Sequence, residues 1–580
     1  NLTYFFRYQV GHMYMRYFLW NFSGRQNDIE GHGNIKHGNW ITGINGLDKA
    51  RLGDQSDLPS SMKNPANNKF YMLPMLLGLV GFFYQLYKDP KNTLVVGMLF
   101  LMTGLAIIVY LNQYPFQPRE RDYAYAGSFM AFTIWVGFGV IAVAQGLKKV
   151  LGGNISAIAA TLICLLLVPG IMAKDGWDDH DRSGKYAARD FAANYLNSCA
   201  PNAILITNGD NDTFPLWYAQ EVEGIRTDVR VVNFMLSSSD WYAHQLARKI
   251  YDSEPLPFTL SEEQYNKGIN EITPYYPRTE DRVELQKLVD FIASESTGTK
   301  IPVQGGKRIN YFPTKKVKLV VDKEKVLENG IVPPEFANQI VDEVEWNIQS
   351  NYLYKNDLVL LDFLATSDWS RPIYFANPGT VASSFDIDDY CHLEGFVYRF
   401  MPVKATTGFV ERIGGVNPEA SFDILMNKCQ WGRLNEPDVV VDRESFRNSA
   451  IPKQNFYRVA EALVDHGNYE DAVKCIDRGQ ELFPNEKFPY DYYMVPFAQI
   501  YYVAKEDEKG DEVINIIKDR YVEDIDYYLR LDNDILNYYE EDLSIAFSTL
   551  QRLSMMARQY ERTELADEIE AIIDEKIEYF

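Results

Sequence analysis

Four uncharged apolar stretches follow one another between residues 70 and 173, at 70–87, 92–118, 123–147 and 150–173. One such run could be the buried helix of a soluble core, but four in succession are hard to place there. Each approaches or exceeds the roughly 20 residues that a helix needs to cross a bilayer. The sequence therefore predicts a membrane all-α region with about four transmembrane helices over 70–174. A soluble α/β domain is expected over 175–452, and a tetratricopeptide-like helical domain over 453–580.

Charge follows the same division. Residues 1–175 carry a net charge of +6 and the rest of the chain −29. An acidic soluble part argues against nucleic acid, whose phosphates call for Lys and Arg. Lys88 and Lys91 fall in one short turn between expected spans, and Lys148 and Lys149 in another. Positive charge in short loops marks the cytoplasmic side. Residues 23–69, the loop 113–124 and everything after Lys174 are then expected outside, in the periplasm if the membrane is a bacterial inner membrane. The chain opens at Asn1 with no initiator Met and no signal peptide, so it is read as a retained part of a longer polypeptide.

Ahead of the spans, residues 4–20 read YFFRYQVGHMYMRYFLW. Arg7, His12 and Arg16 make this too polar for a span. It is expected to lie at the interface, with its arginines reaching toward the headgroups. A long irregular loop follows over 23–68, and such loops usually carry function. Residues 1–69 are grouped as interfacial helix and outer loop.

Beyond Trp177 the pattern changes. Short apolar runs at 203–207 and 229–234 flank a helical stretch around 215–222, a β-loop-α-β pattern. Further strands are expected at 317–321 and 372–376, with an insertion over 252–315. In 456–484, Ala460, Gly467, Tyr469, Ala472 and Pro484 fall at tetratricopeptide spacings. Cys164, Cys199, Cys391, Cys429 and Cys475 form no CxxC pair, which argues against zinc.

The loop QPRERDY before the third run is the most pointed chemical feature. Arg119 and Arg121 are suited to phosphate through their planar forks, and at a membrane surface the obvious phosphate belongs to a lipid. Glu120, Asp122 and Tyr123 are supporting candidates. A salt-bridged loop anchoring the next helix is the alternative, and the alternating charges let both hold. Asp210 and Asp212 follow the strand at 203–207, where α/β domains often place ligands. A divalent cation there has weak support, and a turn with a helix cap is favoured. Arg25, Gln26 and Asp28 open the long loop as a possible acceptor or ligand loop. His12, His32 and His37 are too irregularly spaced for a metal, and no metal site or cofactor is expected.

The strings FLWNFSGRQND, YPFQPRERDYAYAGSF and TNGDNDTFPLWYAQEVEGIRTDVRVVN resemble a multi-spanning membrane family common in Bacteroidetes, long catalogued as of unknown function. That family is similar to the transmembrane, tetratricopeptide-tailed protein O-mannosyltransferases. The resemblance implies a type C glycosyltransferase that moves a sugar, mannose or another hexose, from a polyprenyl-phosphate carrier to Ser or Thr of exported proteins. Arg119 and Arg121 would then hold the carrier phosphate. The family places its catalytic acid on an earlier outer loop, so that acid is expected upstream of this chain and no catalytic residue is assigned. Membrane lipid, the carrier and the acceptor proteins are the expected partners, with others through the helical tail. The competing reading is a non-enzymatic scaffold of an envelope complex that recruits partners through that tail.

Overall fold

The structure is a computed structural model that describes residues 2–117, 119–303, 306–405 and 414–578. Among them, three helices are long and apolar enough to cross a membrane, not four: Pro90–Leu111, Asp122–Leu151 and Gly153–His180. The first expected run falls short. Tyr71 and Met72 take left-handed backbone, with φ of 54° and 57°, so the helix begins only at Leu73 and ends at Lys88. Its 16 residues rise about 24 Å against a hydrocarbon core of about 30 Å. The second run stops at Leu111 because Asn112 is left-handed, and it is broken around Thr103–Gly104.

The short helix Leu73–Lys88 packs along Asp122–Leu151 through glycine. A Cβ on Gly81 would sit 1.7 Å from the Trp135 carbonyl, and one on Gly139 would sit 2.2 Å from that of Leu77. Removing side chains lets two backbones approach, a common device in membrane helix pairs. Trp135 Nε1 donates to Gln85 Oε1 at 2.8 Å across the same seam. Leu76, Leu79, Val80 and Phe83 face outward.

The aromatic segment forms a π-helix, Tyr4–Met15, continued by the α-helix Arg16–Phe22. Met13, Tyr14, Tyr17, Phe18, Trp20 and Phe22 are buried with Tyr125, Phe129, Phe132 and Trp135. Arg16 does not reach for headgroups: it is 4% exposed.

The α/β domain is built on a six-stranded mixed sheet. Its strands are β1 (Ile204–Thr207), β2 (Arg230–Asn233), β3 (Ile373–Phe375), β4 (Cys391–Glu394), β5 (Val397–Phe400) and β6 (Gly415–Val416), in the order β6-β4-β5-β3-β1-β2. β1 pairs parallel with β2 and β3, while β5 runs antiparallel to β3 and β4. All four residues of β1 and of β2 are buried, as strands covered on both faces require. The strand expected near 317–321 forms, as Lys316–Val320, but in a separate three-stranded sheet.

The C-terminal part is helical. Ala450–Asp465 packs on Tyr469–Leu482, Val495–Val503 on Asp507–Tyr528, and Glu540–Gln559 on Thr563–Ile577. Its core is continuous with Leu393 and Phe396 of the α/β domain. The five cysteines are free thiols.

Candidate functional site

The charged loop splits its alternating residues between two directions. Glu120 turns inward and meets Arg16 in a two-pronged ion pair, with Nη1 to Oε1 at 3.0 Å and Nη2 to Oε2 at 2.7 Å. The Gly31 amide donates to Oε1 at 2.9 Å, and the Tyr17 hydroxyl donates to Oε2. Arg16 also donates to the Gly38 carbonyl at 2.7 Å and, through Nε, to that of His12 at 3.0 Å. Its guanidinium lies over the rings of Tyr17 and Trp20, at 4.6 and 4.7 Å from their centroids. Gly38 is required here. Its φ is +58°, and a Cβ would come within 2.9 Å of Arg16 Nη1.

Electrostatics follow from this packing. Burial opposes ionisation of Glu120, but the hydrogen bonds and charge of Arg16, with the Gly31 amide and the Tyr17 hydroxyl, outweigh it and hold the carboxyl below its ordinary range. Burial and the neighbouring Glu120 charge push the Tyr17 hydroxyl up. His12, whose Nε2 lies 3.0 Å from the Gly31 carbonyl, is lowered to about 4 by burial and by Arg16, so it is neutral at pH 7.

Arg119 and Arg121 take the other direction. Among the described residues neither forms a salt bridge. Arg119 is exposed, with its guanidinium 5.8 Å from the Tyr123 ring centroid. Arg121 donates through Nη1 to the Tyr123 hydroxyl at 3.1 Å, and its Nε is buried without an acceptor. Asp122 forms no ion pair among the described residues either, but its charge is felt by Arg25. The arrangement offers two guanidiniums with spare donors on a loop whose intervening acid is fixed elsewhere, which is what a bound oxyanion needs.

The other expected site residues have structural work. Arg25 stacks on Trp20 at 4.2 Å and donates to the Asn27 carbonyl at 3.0 Å. Gln26 bonds the Ile35 carbonyl at 3.1 Å and the Asn39 side chain at 2.9 Å. Asp28 accepts from Asn64 at 2.8 Å and from the Arg443 amide at 3.1 Å. Asp212 caps its helix by accepting from the Asn208 and Gly209 amides, at 2.7 and 2.9 Å, and Asp210 opens the same helix. No hydrogen bond or salt bridge joins that turn to the charged loop among the described residues, and no cluster of three metal-ligating side chains occurs among them. Arg16 and Tyr17 are the partners that sequence reasoning missed, about a hundred residues from Glu120, with only their placement in an aromatic-rich segment as a signal.

The fold is that of a protein with three helices long and apolar enough to cross a membrane among its described residues, a mixed α/β domain and a helical C-terminus. Residues 188–420, which hold the six-stranded sheet, match a family model described as TMEM260-associated domain 2, so this part of the chain is similar to that domain. No curated protein and no solved structure matches the chain.

Proposed function

We propose that this chain is the carrier-binding and acceptor-recognising part of a membrane glycosyltransferase, which moves a hexose from a polyprenyl-phosphate carrier to Ser or Thr of exported proteins. One observation carries the reading: Glu120 is withdrawn to Arg16, leaving Arg119 and Arg121 without carboxylate partners among the described residues, at the start of an apolar helix. At the membrane surface a lipid-linked phosphate fits two such guanidiniums. The match to a TMEM260-associated domain is consistent with a glycosyltransferase-related protein. In this reading the loop faces the periplasm, and Arg119 and Arg121 stabilise the carrier phosphate as it leaves. The helical hairpins of the tail serve as a tetratricopeptide-like surface for partners.

Replacing both arginines, Arg119→Ala with Arg121→Ala, is the test. The expected result is lost glycosylation of exported proteins in cells whose membranes still contain the variant at normal levels. An unchanged glycoprotein pattern in the double variant overturns the reading.

A further inference from the structure

The α/β domain holds a cavity of about 240 Å³ at the open edge of its sheet, beside β2 and between the helices Asp210–Glu221 and Asp240–Leu246. Four aromatic side chains stand on its lining: Trp217, Trp241, Tyr242 and Tyr251. Trp241 is 56% exposed, and Phe214, stacked on Trp217 at 5.4 Å, extends the aromatic surface outward. Polar groups stand among the rings. The side-chain amide of Gln245 has no hydrogen-bond partner among the described residues, and the residue is exposed.

Two features narrow the occupant. Two outward-facing backbone groups at the strand edge are already taken: Gln220 Nε2 donates to the Val229 carbonyl at 2.8 Å and the Tyr242 hydroxyl accepts from the Asn233 amide at 2.9 Å. An extended peptide therefore finds two of the backbone groups it would pair with already bonded. The second feature is Arg230, which lines the cavity at 2% exposure. Its Nη2 donates to the carbonyls of Gln245, Leu246 and Arg248 at 3.0, 2.9 and 2.7 Å. Its Nε and Nη1 are sealed from solvent and meet no acceptor, and Arg230 forms no salt bridge among the described residues. Glu221, the acid on the lining, accepts from the Tyr251 hydroxyl. A buried cation without a counter-charge is costly, and an anion held nearby relieves that cost.

We propose that this cavity binds one pyranose ring carrying an anionic substituent, a carboxylate or a phosphate, with the ring against the tryptophans and the anion held by the field of Arg230. The cavity is smaller than the sites that take drug-sized ligands, as one sugar ring requires. The site is separate from the charged loop, and it stands or falls independently of the carrier-phosphate reading.

The test is a titration of the full chain in lipid nanodiscs with glucuronate, glucose 6-phosphate and glucose, followed by tryptophan fluorescence and saturation-transfer NMR. At least one anionic sugar is expected to bind, with glucose about tenfold weaker or more, and the stronger of the two anionic ligands identifies the substituent. Trp241→Ala, on an exposed side chain, is expected to weaken binding about tenfold. Arg230→Gln is expected to bring anionic and neutral ligands level. Should Arg230→Gln fail to fold, loss of affinity in Gln245→Ala, together with a fall in anionic binding as salt is raised, carries the same conclusion. Absence of binding by both anionic sugars, equal binding of glucose, or an affinity unmoved by Trp241→Ala overturns the proposal.

Discussion

Arg16 and Glu120 hold each other's charge in a site where neither could stand alone. Their side chains are 4% and 15% exposed. Removing one partner leaves the other charge buried, so Glu120→Ala is expected to cost about 3–5 kcal/mol, read as a lowered melting temperature in nanodiscs. Replacing both, Arg16→Met with Glu120→Leu, is expected to cost far less, because no orphaned charge remains. The pair also sets an acid limit. The carboxyl of Glu120 is lowered in the fold, so its contribution is complete above the unfolded value of about 4.3 and is lost as pH falls through the depressed one. His12 and His37 act at higher pH. Burial, with Arg16 and Lys36 respectively, lowers both to about 4. The unfolded chain takes up these protons near pH 6.5 and the folded chain only near 4, so stability should fall as pH drops across that window. Hydrogen exchange at the Gly31 amide is expected to speed up between pH 6.5 and 4, and His12→Gln with His37→Gln to flatten the dependence. A rate independent of pH in the parent chain, after correction for intrinsic exchange, would contradict this. A salt-bridged loop was legible in the sequence but its partner was not, because the charges beside Glu120 in the chain are Arg119 and Arg121, and the one that binds it is far away.

Helices were the most legible elements, because apolar composition over 20 residues is a property of one segment. The error at 70–87 came from backbone, not composition: left-handed Tyr71 and Met72 removed the first turn. What the sequence could not rank was its glycines. Gly81, Gly137 and Gly139 look alike in the string, yet a Cβ on Gly81 meets the Trp135 carbonyl at 1.7 Å and one on Gly137 meets nothing within 4 Å. Gly81→Ala is expected to part the two helices at a cost of about 1–3 kcal/mol or more. Gly137→Ala should be neutral or gain up to about 1 kcal/mol from its helix preference. Melting of the two variants beside the parent checks the contrast, and equal losses would mean that the seam does not depend on close approach. The strands β1 and β2 were found within a residue or so, because a β-loop-α-β unit is local. The pairing of β3 with β5, and the separate sheet of Lys316–Val320, depend on partners far along the chain.

At the scale of the whole molecule, the loop after the aromatic helix ties the apolar helices to the C-terminal helices. Lys36 pairs with Asp542 and lies 5.6 Å from the Tyr539 ring centroid. Ser60 and Ser61 donate to Glu523 and Asp524. Tyr527 donates to the Asp54 carbonyl at 3.1 Å, and Arg530 meets Asp57 at 2.8 Å. The same loop supplies Gly31 and Gly38 to the Arg16–Glu120 pair, so docking of the tail and posture of the charged loop share one strap. Burial ranks these ties. Lys36 is 16% exposed at its side chain, whereas Arg530 and Asp57 are 61% and 75% exposed and largely screened. Lys36→Glu, which sets a carboxylate against Asp542, is expected to raise proteolysis within 23–69 and hydrogen exchange in both 29–39 and 536–545. Arg530→Glu should change little. Pairing Lys36→Glu with Asp542→Lys restores the opposite charges and should recover most of the protection. If the strap acts as one body, the Gly31 amide, held by Glu120 and not by the tail, will lose protection in Lys36→Glu and regain it in the charge swap. Exchange confined to 536–545 would show instead that the tail detaches without disturbing the charged loop.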